Sequence, residues 1–339
     1  MTVQPIAENG RGNIADWVVR YSALLALIAV LAVFSASIPT FPTPQNLAGV
    51  LVNNFALLAI VSIGMTLVVA AGGIDLSVGT AVDFSSLAFV FLVLSGHAVW
   101  LSALAGLASG LAVGLFNAFL IARLGITPFL ATLGTLFIGH SGQQLLTGGG
   151  NPLYLPSSAV PRSFAFLGHG AILGVPVVLV AVAALGVAVE ILLKRSRLGR
   201  IILATGVHRS VAWYSGLPTS GVSGFVYALS ALVCAVAGLI LSATVNVYVP
   251  YSGNAFLLNA IGATFIGTTL DSNGRPNVAG TLVGVLLLAV VANGLLLSGL
   301  NFYWQQVGTG VLIFLVLAAS FGKGVPTSDR SNRTSGNAT

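Results

Sequence analysis

KRSRLGRIILATGVHRSVAWYSGLP, residues Lys194–Pro218, carries five of the chain's thirteen lysines and arginines (Lys194, Arg195, Arg197, Arg200 and Arg209) within sixteen positions. Long apolar runs flank it on both sides. Lys and Arg are retained on the cytoplasmic face during membrane insertion, so a basic, glycine-punctuated connector between such runs belongs on that face. Counting spans outward from it sets the side of every other loop.

Charged residues make up 6% of the 339 positions, hydrophobic residues 56%, and mean hydropathy is +1.01. Too few polar side chains remain to cover a water-soluble globule, which leaves an all-α polytopic membrane protein. A helix satisfies its own backbone where no water can, and needs about 17–25 apolar residues to cross the bilayer. About ten runs meet that need, at roughly 22–38, 49–71, 77–95, 99–121, 127–146, 171–193, 220–243, 255–270, 277–298 and 303–321. With the N-terminus inside, Arg11, Arg20, Arg123, the 194–209 cluster, Arg275, Lys323, Arg330 and Arg333 all fall inside, and Arg162 alone falls outside. Losing or merging one span would invert every later loop and spoil that twelve-to-one split. The expected organisation is a cytoplasmic N-terminal segment over 1–21, a transmembrane domain over 22–321 with a cytoplasmic loop at 194–218, and a disordered cytoplasmic tail over 322–339. The first run is followed by Pro39, Phe41, Pro42 and Pro44 rather than a small-residue cleavage pattern, so it reads as a retained helix.

Gly106, Gly110 and Gly114 form a four-residue ladder on the fourth run, and Gly280 and Gly284 repeat it on the ninth. That spacing lets helix backbones approach closely, which drives packing in lipid. The fourth run ends Asn117-Ala118-Phe119-Leu120 and reaches Leu133-Gly134-Thr135; the ninth ends Asn293-Gly294-Leu295-Leu296 and reaches Val307-Gly308-Thr309. This echo points to an inverted repeat of spans two to five with seven to ten, and so to a pathway between the halves. Cys234 is the lone cysteine and reads as a small buried apolar residue rather than a disulfide or metal ligand.

Gly72-Gly73-Ile74-Asp75-Leu76-Ser77-Val78-Gly79 separates the second and third runs and reads as a broken helix. Asp75 is either an N-cap, accepting from the amides around Ser77 and Val78, or part of irregular backbone beside a translocation path. Asp83 lies further along the third run, where a carboxylate costs roughly 2.5–3.5 kcal/mol on insertion scales. It must pair across helices, stay protonated or line a wet cavity. Asn53, Asn54, Ser77, Asn117 and Asn293 complete the pathway candidates, a neutral polar set suited to an uncharged solute, each open to the plainer reading of an interhelical hydrogen bond. No nucleotide-cradling Gly-x-x-x-x-Gly-Lys-Ser/Thr occurs, and no catalytic, metal or cofactor constellation is read from the chain. Energy for transport must then come from a partner or, if Asp83 titrates, from an ion or proton gradient.

In the connector, Arg197, Gly199, Arg200, Gly206, His208, Arg209, Trp213, Ser215 and Gly216 are the residues expected to engage a partner, with a short helix between Gly206 and Gly216. The alternative is an interfacial amphipathic segment, with Trp213 and Tyr214 at the headgroups and arginines on phosphates.

The Gly72–Gly79 motif, Asn117 through Gly134 with Gly125-Ile126-Thr127-Pro128-Phe129, Thr132-Leu133-Gly134-Thr135, Leu198-Gly199-Arg200 and Ser215-Gly216-Leu217 resemble the membrane permeases of ATP-binding-cassette importers for ribose, xylose, arabinose, galactose and similar monosaccharides. The resemblance implies a bacterial inner-membrane subunit with a cytoplasmic ATPase docked on a 199–216 helix, ATP and magnesium being held by that ATPase. It also implies a periplasmic sugar-binding protein, met by the 147–170 loop where Arg162 is the one charge, and a second permease chain sharing the pathway. Arg162 reads equally as a solvated arginine. The chain departs from the pattern at Val207-His208-Arg209-Ser210-Val211, where such permeases carry Gly-Asn-Glu-Ala-Ala, and at Asp83, where they carry small apolar residues. A base in place of an acid calls for an acidic site on the ATPase. Membrane lipid is the remaining partner, and nucleic acid is not expected.

Overall fold

The computed structural model describes residues 21–156, 160–271 and 273–321. The expected tail, and the expected N-terminal segment apart from residue 21, lie outside them. The helices are α1 (Ser22–Ser37), α2 (Pro44–Ala70), α3 (Val78–Leu94), α4 (Val99–Arg123), α5 (Pro128–Leu146), α6 (Arg162–His169), α7 (Val177–Arg195), α8 (Arg197–Val207), α9 (Arg209–Tyr214), α10 (Thr219–Val245), α11 (Asn254–Thr268), α12 (Val278–Leu297) and α13 (Phe302–Phe321). Four two-residue strands accompany them: β1 (Leu153–Tyr154), β2 (Ala171–Ile172), β3 (Val175–Pro176) and β4 (Val247–Tyr248). Each of the ten expected runs contains one helix. By length and composition α2, α4, α7, α10 and α12 can cross a membrane, and α1, α3, α11 and Tyr303–Val316 of α13 are shorter apolar helices. The chain is a polytopic helical membrane protein.

Some boundaries differ from expectation for local reasons. The sixth run does not begin as a helix: Leu173 (φ 53) and Gly174 (φ 82) turn a β2–β3 hairpin, and the helix starts only at Val177. Two consecutive positive φ values match the right-handed strand twist, so turn chemistry overrides the apolar pattern there. The second run starts earlier, at Pro44, because Thr43 Oγ1 accepts from Asn46 N at 3.3 Å and proline suits the first turn. Residues Val50–Phe55 of α2 and Phe119–Arg123 of α4 wind as π-helix, the wider turn often found at functional sites.

α10 is the central pillar, packed on α2, α3 and α4. The α4 ladder meets it: Gly106 faces Leu239 and the Ser85 carbonyl, Gly110 faces Ala235 and the Ala81 carbonyl, and Gly114 faces Ala231 and the Tyr227 carbonyl. A methyl at any of the three would collide, so these glycines set how closely α4 approaches both α3 and α10. Gly280 and Gly284 do the same for α12 against Gly267 and Ala263 of α11. The packing scheme survives exchange of α2–α5 with α10–α13. α2 packs on α12 as α10 packs on α4, α2 on α11 as α10 on α3, and α3 on α4 as α11 on α12. Thr66 and Thr281 share a hydroxyl hydrogen bond of 2.8 Å on the α2–α12 contact. Cys234 is fully buried in α10, with its Sγ against Gly64 of α2.

Candidate functional site

The Gly72–Gly79 stretch does break one helix and start the next. Gly72 takes φ 79, and Asp75 Oδ1 accepts from Ser77 N at 2.7 Å and from Ser77 Oγ at 2.6 Å. The N-cap position of α3 itself belongs to Ser77, so Asp75 braces the cap rather than occupying it. The polar chain runs on through the interior: Asn117 Nδ2 of α4 donates to Ser77 Oγ at 2.6 Å, and Thr135 Oγ1 of α5 donates to Asn117 Oδ1 at 2.6 Å. Thr132 Oγ1 accepts from Leu76 N at 3.1 Å. All five of these polar side chains are buried. Three of the expected pathway residues, Asp75, Ser77 and Asn117, thus form one network that ties α3, α4 and α5 together. A buried network with its partners in place is rigid. Thr132 and Thr135, which complete it, belong to the quoted Thr132–Thr135 motif but carry no charge or rarity to single them out.

Asp83 stands in a second network. After α10, Asn246 turns the chain in the left-handed region (φ 54), β4 pairs with β1, and the segment then returns to α3. Gly253 abuts Gly79, and its backbone N donates to Asp83 Oδ1 at 2.7 Å while Ser252 Oγ donates to the same oxygen at 3.0 Å. From α5, Gln143 Oε1 accepts from Tyr248 OH and from Tyr251 N, both at 2.9 Å. His140 Nε2 lies 3.0–3.2 Å from the amide atoms of Asn254, and its ring meets Tyr251 edge-on at 4.9 Å. Tyr251 is held at φ 64, which costs a bulky residue steric strain of a kind that gathers at ligand clamps. Asp83 is therefore met by Ser252 and Gly253 of the segment between α10 and α11, and faced by the Gln143 amide of α5. His140 and Gln143 are polar residues of the fifth run, and Tyr248, Tyr251 and Asn254 meet them only through the return of the chain.

The remaining pathway candidates lie apart. Asn293 of α12 and Asn46 of α2 exchange side-chain hydrogen bonds of 3.0 and 3.1 Å, an interhelical clasp. Asn53 is exposed and Asn54 half-buried in the π turn of α2, which packs on α12. Arg162 is the exposed first residue of α6, whose Phe164 stacks on Phe89 of α3 at 4.9 Å.

The basic connector is two helices, not one over 199–216. Ser196 Oγ caps α8 by accepting from Gly199 N at 2.8 Å, and Gly199 sits against the Leu192 and Leu193 carbonyls, making a tight corner with α7. His208, extended at φ −149, separates α8 from α9. The short helix expected between Gly206 and Gly216 is α9. It closes at Gly216 (φ 79), with Gly216 N donating to the Trp213 carbonyl at 2.9 Å and Leu217 N to the Ala212 carbonyl at 3.1 Å. Gly206 does not start that helix. It lies inside α8 because its Cα presses on the Ala70 carbonyl and on Gly72, where no side chain fits. Arg197, Arg200, His208, Arg209, Trp213, Ser215 and Gly216 are all exposed. Lys194 pairs with Glu190, the one ion pair among the described residues, so the arginines of α8 and α9 face outward unpaired. Between the two helices a groove of about 410 Å³, lined by Leu203, Val207 and Val211 with Arg200, His208 and Arg275 among its polar groups, opens outward.

The module packs on α2, α7 and α10, and one of these contacts reaches the Gly72 turn. Gly206 touches Gly72, Gly73 abuts the Tyr227 hydroxyl of α10, that hydroxyl lies 3.4 Å from the Ile74 carbonyl, and Asp75 follows.

Residues 47–317 match the family profile described as "Branched-chain amino acid transport system / permease component". The ribose import permease protein of Bacillus subtilis (strain 168) is 32% identical over 293 residues, 86% of this chain and 90% of that protein. The ribose import permease protein of Escherichia coli (strain K12) is 31% identical over 317 residues, 94% of this chain and 98% of that protein. The L-arabinose ABC transporter permease protein of Azospirillum brasilense is 29% identical over 308 residues, 91% and 89% of the two chains. These are transport components rather than enzymes. With its series of apolar helices, its broken α2–α3 turn and a profile match over most of its length, the chain belongs to this family of transport-system permease components.

Proposed function

We propose that the chain is the membrane subunit of a bacterial ATP-binding-cassette importer for a sugar, crossing the inner membrane ten times with both termini in the cytoplasm. A periplasmic binding protein delivers the sugar, a second permease chain shares the pathway, and a separate cytoplasmic ATPase supplies ATP and magnesium. The halves α2–α5 and α10–α13 form an inverted repeat, as their interchangeable packing supports. The relatives named for ribose and L-arabinose import support this reading over an ion-coupled carrier acting through Asp83.

The observation that carries the reading is the contact of Gly206 with Gly72. An exposed basic module seated on the turn that starts α3 can pass a push from an ATPase into the helices of the pathway. ATP-driven closure of the partner dimer moves α8 and α9, and the Gly72 turn moves α3. Cassettes with acidic docking sites match the unpaired Arg200 and Arg209.

The test is uptake of labelled sugar into vesicles holding this chain, its candidate ATPase and its binding protein. Wild type should require all three components and ATP. Gly206→Val should lose uptake by tenfold or more while ATPase assembly persists, and Arg209→Glu should weaken assembly itself. Uptake that proceeds without the ATPase would overturn the reading.

A further inference from the structure

A second groove, of about 300 Å³, runs between α7 and α12, with Val182, Gly186, Val187 and Glu190 on one wall and Val278 and Leu282 on the other. Its α7 wall consists of the pairs 182/183, 186/187 and 190/191, a four-residue repeat that follows one face of the helix. One further repeat reaches Lys194 and Arg195, both exposed. From Val182 to Ile191 the helix rises about 14 Å, close to half of a 30 Å hydrocarbon core and so to the depth of one leaflet. The groove is therefore apolar along the length of an acyl chain and charged at one end. Gly186 keeps its floor low, since a methyl there would meet Val278, Ile63 and Leu282 only at 3.6–4.0 Å.

We propose that this groove seats one phospholipid with a primary-amine headgroup, phosphatidylethanolamine, its acyl chain lying between α7 and α12 and its headgroup on Glu190, Lys194 and Arg195. The site is independent of the sugar-importer reading and needs only that α7 crosses the membrane, as its length and composition allow. Glu190 is half-buried, with Oε1 against Lys194 Nζ and Oε2 accepting from Val278 N at 3.3 Å. Helical side chains lean toward the helix N-terminus, so Lys194 reaches back to the level of Glu190, as their ion pair shows. A negative and a positive group thus stand side by side at the mouth of the groove. A zwitterion answers both: its ammonium donates N–H groups to the Glu190 carboxylate, and its phosphate accepts from Lys194 and Arg195. A quaternary-amine headgroup has no N–H to donate. An anionic headgroup satisfies the two cations and brings no cation to Glu190. The headgroup also lies beside the corner from which the basic connector leaves, because Gly199 of α8 rests on the Leu192 and Leu193 carbonyls.

The experiment equilibrates the purified full chain in detergent with an equal mixture of phosphatidylethanolamine, phosphatidylcholine and phosphatidylglycerol of identical acyl chains, and counts retained lipid by native mass spectrometry. Wild type should retain phosphatidylethanolamine about tenfold over either competitor, the worth of one charge-assisted hydrogen bond. Glu190→Gln keeps the shape of the mouth and removes its negative charge; the preference over phosphatidylcholine should fall to about twofold or less. Gly186→Leu fills the groove floor and should lose retention of all three lipids. Equal retention of the three by wild type overturns the site in favour of ordinary acyl-chain solvation, and preference for phosphatidylglycerol overturns it in favour of a purely basic site. A preference unchanged in Glu190→Gln, or retention unchanged in Gly186→Leu, overturns it as well. The wild-type ratio alone decides the proposal if either variant fails to fold.

Discussion

Asp75 and Asp83 lie eight positions apart, both buried, one just ahead of α3 and one within it, and the structure treats them differently. Asp75 accepts from Ser77 two positions on and anchors a chain of hydrogen bonds through Ser77 and Asn117 to Thr135. Asp83 accepts from Ser252 and Gly253, which lie 169 and 170 positions further along the chain. The first carboxylate shapes a local turn, and the second pins a returning segment to α3. Burial and charge alone do not separate the two.

The sharpest way to break this contrast is to remove each acid in turn and follow unfolding in detergent. Asp75→Leu strands Ser77 N and Oγ and cuts the chain to Asn117, and should cost about 3 kcal/mol of stability. Asp83→Asn retains an acceptor for Gly253 N and relieves a desolvated charge, and should stay within about 1 kcal/mol of wild type. Equal losses in the two variants would erase the distinction. Gly253→Val probes the wall of the second network: its side chain runs into the Gly79 carbonyl, so melting should register about 1–3 kcal/mol of strain. The smallest expected effect belongs to the Asn46–Asn293 clasp, where a double-mutant cycle to leucine should return a coupling near 0.6 kcal/mol. That value would mark the Asn46–Asn293 pair as an ordinary interhelical bond.

Much of the fold is local and was therefore readable. The ten runs, the glycine ladders, the break at Gly72–Gly79 and the basic connector are each decided by composition or spacing within a few turns of chain. The hairpin at 171–176 was not, since six mostly apolar residues read like the start of a helix until the positive φ of Leu173 and Gly174 is known. Nor was the division of the connector, because Gly206 reads as a helix boundary when it is a point of contact with Gly72, more than a hundred residues away in the chain. The first network was half legible: Asp75, Ser77 and Asn117 are conspicuous polar residues in apolar surroundings, and only their mutual contact needed the fold. The second was nearly illegible beyond Asp83. Tyr248, Tyr251 and Ser252 sit in a segment that looks like an ordinary loop, and its return to α3 depends on long-range pairing of β4 with β1.

Cys234, sealed between α2 and α10 against Gly64, has a practical consequence for spectroscopy. It is the chain's only thiol, and reagents that need solvent access cannot reach it in the folded protein. The native sequence is thus its own blank for site-directed labelling. A cysteine placed at exposed Trp213 and another at exposed Arg162 can carry a dye pair without any background substitution, and report how the two faces of the molecule move in one turnover.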